Sequence, residues 1–170
     1  MITPIMRISY PHLFVAKPNP SGTMKYSCSL MLPKSDKEGL KTLQKAVEAA
    51  ILKGLNSIWA GKKPRFNYPP LRDGDEELKE GIKEGKAYKG MVFFNCSANI
   101  APGVVDQDNQ LIIREDKIYA GCWVRADVNP FPYAQSGNNG IGWGLNHVKL
   151  IREDDRLDGR SNPEDAFAGY

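Results

Sequence analysis

Five large rings, Tyr119, Trp123, Phe131, Tyr133 and Trp143, fall within 25 residues of this 170-residue chain, interleaved with Arg125 and several glycines. The chemistry open to such a set is stacking. Every nucleobase has a π face, so an exposed ring accepts any base at about 1–3 kcal/mol, while neighbouring guanidinium and ammonium groups take the phosphates. Rings of this size on an outward strand face also pack beneath a helix or a long loop, so each ring taken singly has both readings. The cluster as a group favours stacking. Cations that suit phosphate contacts are Arg7, Lys25, Lys62, Lys63, Arg65, Arg72, Lys89 and Arg125, with Lys62-Lys63-x-Arg65 beside Phe66 and Tyr68 the densest group outside the strands.

Catalytic chemistry has weaker support. No Gly-x-x-x-x-Gly-Lys-Ser/Thr loop is present, because Gly61-Lys62-Lys63 lacks both the hydroxyl and the spacing. His12 and His147 sit in no local metal or nucleophile pattern and read as structural or surface histidines. Asp73, Asp75 and Glu76 offer carboxylates for a divalent cation and phosphodiester hydrolysis, against the plainer reading of acids at a short helix start. Cys28, Cys96 and Cys122 are odd in number and lie in apolar alternating segments, which points to reduced core thiols. Neither a bound metal nor a cofactor is expected.

Charge is divided along the chain. Residues 153–170 hold six acids and two arginines and end with Phe167 and Tyr170, which leaves the preceding residues 21 of the 23 Lys+Arg and 14 of the 20 Asp+Glu. A basic body suits a polyanion; an acidic end with aromatics suits a protein partner or a self-mask. No apolar run approaches the ~18 residues of a membrane helix, and the start MITPIMRISY lacks a secretory layout. A soluble cytoplasmic protein is expected.

The elements that must position these groups follow from periodicity. Alternation predicts strands over 2–15, 23–32, 88–100, 117–128 and 141–151, and Leu40, Leu43, Val47, Ala50, Ile51, Leu55 and Ile58 predict a helix over 36–59 opened by Ser35-Asp36-Lys37-Glu38 as a capping box. Residues 61–87 read as a long charged insertion. Five strands and one major helix fit a mainly β fold, a small barrel. In the fourth strand Ala120, Cys122, Val124, Ala126 and Val128 should face the core, placing Tyr119, Trp123 and Arg125 outward, beside Phe93 if the strands pair. Phe131-Pro132-Tyr133 reads as a loop. Gly137-Asn138-Asn139-Gly140 reads as a tight turn, as does Asp106-Gln107-Asp108-Asn109.

Several short blocks, in order, carry a family likeness: Ser9-Tyr10-Pro11-His12-Leu13-Phe14; Lys25-Tyr26-Ser27 leading to Leu32-Pro33-Lys34-Ser35-Asp36; Leu71-Arg72-Asp73-Gly74-Asp75-Glu76; Tyr119-Ala120-Gly121-Cys122; and Gly159-Arg160 with Pro163-Glu164-Asp165-Ala166-Phe167. Together they resemble the bacteriophage single-stranded-DNA-binding proteins of the OB-fold type, long filed as a phage family of unknown function. The resemblance implies an OB-fold-like five-stranded barrel over 1–152 and a flexible acidic tail over 153–170. It implies a non-enzymatic protein that coats single strands in phage DNA replication or recombination, in the host cytoplasm. The tail would recruit replication or recombination proteins through Glu164, Asp165 and Phe167; self-association stays open. The usual OB barrel has its helix between strands three and four, whereas here it follows the second strand, so either a strand is unread or the helix is an insertion. The chain also runs on past the tail's acidic-aromatic group to Ala168-Gly169-Tyr170.

The DNA-binding set expected from these readings is Lys25, Lys62, Lys63, Arg65, Lys89, Phe93, Tyr119, Trp123, Arg125, Phe131, Tyr133 and Trp143. The alternatives are a metal-dependent nuclease built on Asp73, Asp75 and Glu76, and a structural phage component whose rings form a subunit interface.

Overall fold

The computed structural model describes residues 1–161 and 163–170. Seven strands occur among them: β1 (Met6–Pro18), β2 (Met24–Pro33), β3 (Arg72–Asp73), β4 (Met91–Ala98), β5 (Gly103–Val105), β6 (Trp123–Gln135) and β7 (Asn138–Arg152). Three helices join them: α1 (Lys37–Leu55), α2 (Gly74–Lys79) and α3 (Pro163–Ala166). The five long strands are those expected from alternation; β3 and β5 are too short to leave a periodic signal.

The pairing closes on itself. β1 pairs with β2, β2 with β4, β4 with β7 in parallel at Ser97↔Gly144, β7 with β6, and β6 returns to β1 at Arg7↔Trp123. Closure removes the free edges that an open five-stranded sheet would present. The inward set is apolar as alternation requires: Met6, Ile8, Cys28, Leu30, Leu32, Phe94, Cys96, Val124, Ala126, Val128, Val148 and Leu150 are buried in one cluster. All three cysteines are free and buried.

The helix follows the second strand, so the order of elements expected from the sequence holds. Its N-cap is Asp36, whose Oδ1 accepts from the Gly39 amide at 2.8 Å, in place of Ser35. Leu43, Val47, Ala50 and Gly54 form its buried stripe. At its end Gly54 meets Trp59 and Pro132, where a Cβ would collide with the indole. Trp59, Ala50 and Ile141 thus make a small second core with Phe66 against it.

The stretch 131–133 is strand, not loop, and pairs with β7 through Phe131↔Gly142, Pro132↔Ile141 and Tyr133↔Gly140. Its prolines misled because prolines are excluded only from central strands. The N-terminal residues accompany β6 no further than Val128, whose amide donates to the Met1 carbonyl, so Pro130 and Pro132 face an edge without a ladder partner. The hairpin then turns at Ser136 (φ 52°) and Gly137 (φ 80°), the paired left-handed residues of a two-residue β-turn. The turn falls two residues earlier than the Gly-Asn-Asn-Gly spacing suggests.

The insertion is partly ordered. Asp73 caps α2 by accepting from the Asp75 and Glu76 amides, and Arg72 forms a two-pronged ion pair with Glu77 at 2.6 and 3.0 Å. Tyr88 closes over Phe93 and Met31 on the outside of the barrel, a third apolar cluster.

Candidate nucleic-acid interface

Several rings expected outside are inside. Phe93 is 0% exposed: it lies beneath Tyr88, with ring centroids 4.8 Å apart, and the Arg72 guanidinium stands 4.9 Å from its ring. Its strand pairs with β2 and β3, never with β6, so it is not beside Trp123. Trp143 is 5% exposed, stacked on Phe94 at 4.0 Å, and its Nε1 donates to the Pro70 carbonyl at 3.0 Å. Tyr119 is 8% exposed and precedes β6. Its hydroxyl donates to the Asp154 carbonyl at 3.0 Å, the Arg156 guanidinium lies 4.6 Å from its ring, and burial pushes its pKa up to about 12. None of the three offers a ring face to a base.

Trp123 is half-buried and occupied. Arg152 stands 4.6 Å and Arg7 5.8 Å from its ring, and its Nε1 donates to Asp154 Oδ2 at 2.7 Å. Arg125 is exposed but donates to the Thr3 carbonyl at 2.8 Å, holding the N-terminal residues to β6. The segment expected to leave the body at Glu153 is therefore held through Leu157. Arg7 donates to the Asp155 carbonyl at 2.8 Å, and the Leu157 amide donates to the Ala120 carbonyl at 2.9 Å. A Cβ at Gly121 would strike the Asp155 carbonyl, so the close approach there needs glycine. Arg156 holds the Asp158 carboxyl down to about 2. Beyond it Glu164, Asp165 and Phe167 are exposed, on or just after α3.

Two expected rings do face solvent. Phe131, 41% exposed, lies over Gly142, and the half-exposed Tyr133 lies over Gly140, each opposite its own Cα partner. A side chain at either glycine would collide with the ring, so the two glycines let both rings lie flat on the same face of the hairpin. From that hairpin a belt of small and polar residues crosses the outside of the barrel through successive Cα partners: Asn129, Gly144, Ser97, Ser27 and His12. Asn95 lies on the same face two residues from Ser97. Small side chains here leave the sheet surface open to a flat ligand.

Cations stand to both sides of the belt. Lys25 and its partner Lys17 continue the same face toward the β1–β2 turn. On the other side Tyr88 reaches Ser29 Oγ at 3.4 Å, carrying the segment with Lys83, Lys86 and Lys89 over the sheet. His12 titrates below its usual range because of burial and then the charge of Lys17. His147 accepts from the Gly103 amide at 3.1 Å, a structural role. Lys62, Lys63 and Arg65 are exposed after α1, with Lys63 Nζ 4.9 Å from the Phe66 ring, and the Asn67 side chain joins that loop to Asn138 and Asn139 at the hairpin tip.

The acidic group is a helix start. Lys34 Nζ lies 2.7 Å from both Asp73 and Asp75 and holds both carboxyls below their usual range, while Asp73 also caps α2 and Glu76 points to solvent. Among the described residues no His, Cys, Asp and Glu gather as a metal site.

The belt residues Asn95, Ser97, Ser27, Asn129, Gly142 and Gly144 lie outside the set expected from the sequence. Their signal was present: Lys25, Ser27 and Ser29 alternate along β2 and Asn95 and Ser97 along β4, and glycine recurs at 140, 142 and 144.

A closed five-stranded barrel with a parallel contact between its third and fifth long strands, and an open polar face bounded by the β1–β2 turn and the last hairpin, is an oligonucleotide-binding barrel. Its sequence is matched over residues 1–170 by the family described as Enterobacter phage Enc34, ssDNA-binding protein, and the chain belongs to that family. The fold resembles the single-stranded DNA-binding protein from bacteriophage Enc34 in complex with ssDNA (TM-score 0.78, 22% identity, 92% of this chain and 88% of that one). It also resembles a second structure of the single-stranded DNA-binding protein from bacteriophage Enc34 (TM-score 0.74, 24% identity, 98% of this chain and 88% of that one). A more distant likeness is to gp2.5, a single-stranded DNA-binding protein encoded by bacteriophage T7 (TM-score 0.59, 18% identity, 99% and 92%). No curated protein matches the chain.

Proposed function

We propose that this protein binds single-stranded DNA across the outer belt of its barrel and coats it during phage replication or recombination, without catalysis. The observation that carries the reading is the belt itself, Asn129, Gly144, Ser97, Ser27 and His12, leading to two flat exposed rings at Phe131 and Tyr133. Bases stack on the rings and lie over the glycine and serine surface. Phosphates follow Lys17 and Lys25 on one side and Lys83, Lys86 and Lys89 on the other. Stacking on rings and a cationic path carry little sequence information, so binding is largely sequence-independent. Lys62, Lys63 and Arg65 lie near the hairpin tip and extend the phosphate path for a longer strand.

The distal acidic stretch, with Glu164, Asp165 and Phe167, recruits a replication or recombination protein. It also competes weakly with DNA for the cationic belt and becomes free for that partner once a strand is bound. The site of action is the host cytoplasm; no helix among the described residues is long and apolar enough to cross a membrane.

Anisotropy titration of labelled oligo-dT, oligo-rU and duplex DNA over a range of salt tests the reading. Saturable oligo-dT binding that weakens with salt supports it. Absence of binding at low salt overturns it in favour of a structural phage component, and shortened strands after incubation with Mg²⁺ or Mn²⁺ restore an enzymatic function.

A further inference from the structure

The sheet breaks register where β1 bulges. Between Ser9↔Ser29 and His12↔Ser27, β1 carries two residues, Tyr10 and Pro11, opposite the single Cys28, a bulge of one extra residue. Tyr10 adopts φ 48°, a left-handed backbone uncommon for any residue but glycine and unfavourable for a bulky one. It nevertheless exposes 59% of its surface. Burial therefore does not account for the ring or for the conformation that presents it. Bulges of this kind often redirect a side chain toward a binding site.

The ring borders a groove of about 950 Å³, within the size range of pockets that hold small organic ligands. Lys17 and Lys86 line it, and Lys83 Nζ stands 5.6 Å from the Tyr10 ring. Arg156 and Arg160 join Lys17 and Lys86 on the lining, and Glu84, Glu115, Asp116 and Asp158 balance them, so the groove has no net charge and suits a neutral base better than a phosphate. Ser9 and His12 line the same groove, and His12 is the last residue of the belt, so the two surfaces are continuous.

We propose that Tyr10 is a further base-stacking position, at which the strand leaving the belt places a base in this groove while its phosphates pass Lys17, Lys83 and Lys86. This rests on the belt as the DNA path. It assigns the strained bulge a role in lengthening the binding site beyond the two hairpin rings.

The test compares Tyr10→Gly with Phe131→Ala by oligo-dT anisotropy and thermal melting, and maps photocrosslinks from 5-bromodeoxyuridine-substituted strands on the unmodified protein. Glycine relieves the left-handed backbone while deleting the ring. The expected result is a melting temperature unchanged or raised, affinity reduced about 5- to 100-fold, and a crosslink at Tyr10. Unchanged affinity in Tyr10→Gly overturns the proposal, and a lowered melting temperature without a Tyr10 crosslink overturns it by making the ring structural. Weakening by Phe131→Ala alone leaves the belt intact and removes only Tyr10. If Phe131→Ala has no effect the belt reading fails, and the crosslink decides Tyr10 by itself.

Discussion

The indole Nε1 of Trp123 donates to the Asp154 carboxylate at 2.7 Å, joining the ring that looked most available for stacking to the first turn of what looked like a free acidic tail. Asp154 is held below the usual carboxylate range first by that hydrogen bond and then by the Asp155 amide, with Arg7 and Arg152 adding their charges. The ring and the acid satisfy each other, and the body of the protein extends past the boundary that charge alone suggests.

Truncation separates the two parts of this segment. Removing residues 159–170 should leave the melting temperature nearly unchanged, whereas removing 153–170 uncovers Tyr119 and Trp123 and should lower it by several degrees, the shift expected for about 1–2 kcal/mol. Differential scanning calorimetry of both truncations reads the difference.

The docking should resist mild acid. Asp158 titrates near 2 and Asp154 is also lowered, so their contribution is complete above the unfolded value near 3.9 and is lost as pH falls through the folded value. Trp123 fluorescence and protease cleavage at Arg156 and Arg160 should therefore hold steady to about pH 4 and change only below it. Release near pH 5 would contradict the ion pairs as drawn.

The rings should divide by location. Phe131→Ala and Tyr133→Ala are each expected to weaken oligo-dT binding by about 5- to 100-fold with little effect on melting. Trp143→Ala should instead destabilise the fold by about 3–5 kcal/mol, because it empties the stack on Phe94. Chemical denaturation and anisotropy on the same preparations separate the two classes.

Salt dependence should count the cations. Replacing Lys25 with alanine removes one phosphate contact and should make the log–log salt slope shallower by about 0.7. Arg125→Ala, whose guanidinium is committed to the Thr3 carbonyl, should leave the slope unchanged and cost stability instead.

His12 gives a pH signature of the belt. Its pKa is lowered in the free protein, so it is neutral at pH 7, and a phosphate placed beside it favours the protonated form. Binding should take up a proton, and affinity should rise as pH falls below neutrality. In the absence of DNA the same lowered pKa means that the unfolded chain binds more protons, so His12 costs stability over that window. NMR titration of the His12 imidazole, with and without oligo-dT, should show an upward shift on binding.

Much of the fold was legible because it depends on local alternation. The five long strands, the α1 stripe and the core set from Ala120 to Val128 follow from which residues are apolar at period two or 3.6, a property each segment carries by itself. The reduced, buried cysteines and the helix after the second strand were legible for the same reason. The register of β6 was not, since Pro130 and Pro132 break a strand only if both edges are paired, and a single segment does not say which edge is free.

The sequence by itself determined that one side of each strand is apolar, that rings crowd the second half of the chain, and that the residues before 153 are basic. Tertiary structure decided which of those rings meet solvent. Alternation puts Phe93 and Tyr119 off the barrel core, but whether that second side is covered depends on distant segments: Tyr88 closes over Phe93, and residues 154–157 close over Tyr119 and Trp123. Barrel closure at Ser97↔Gly144 then lines up small residues from four separate strands into one belt. Exposure is a sum over everything that packs on a face, and strand period reports only the direction in which a side chain sets out.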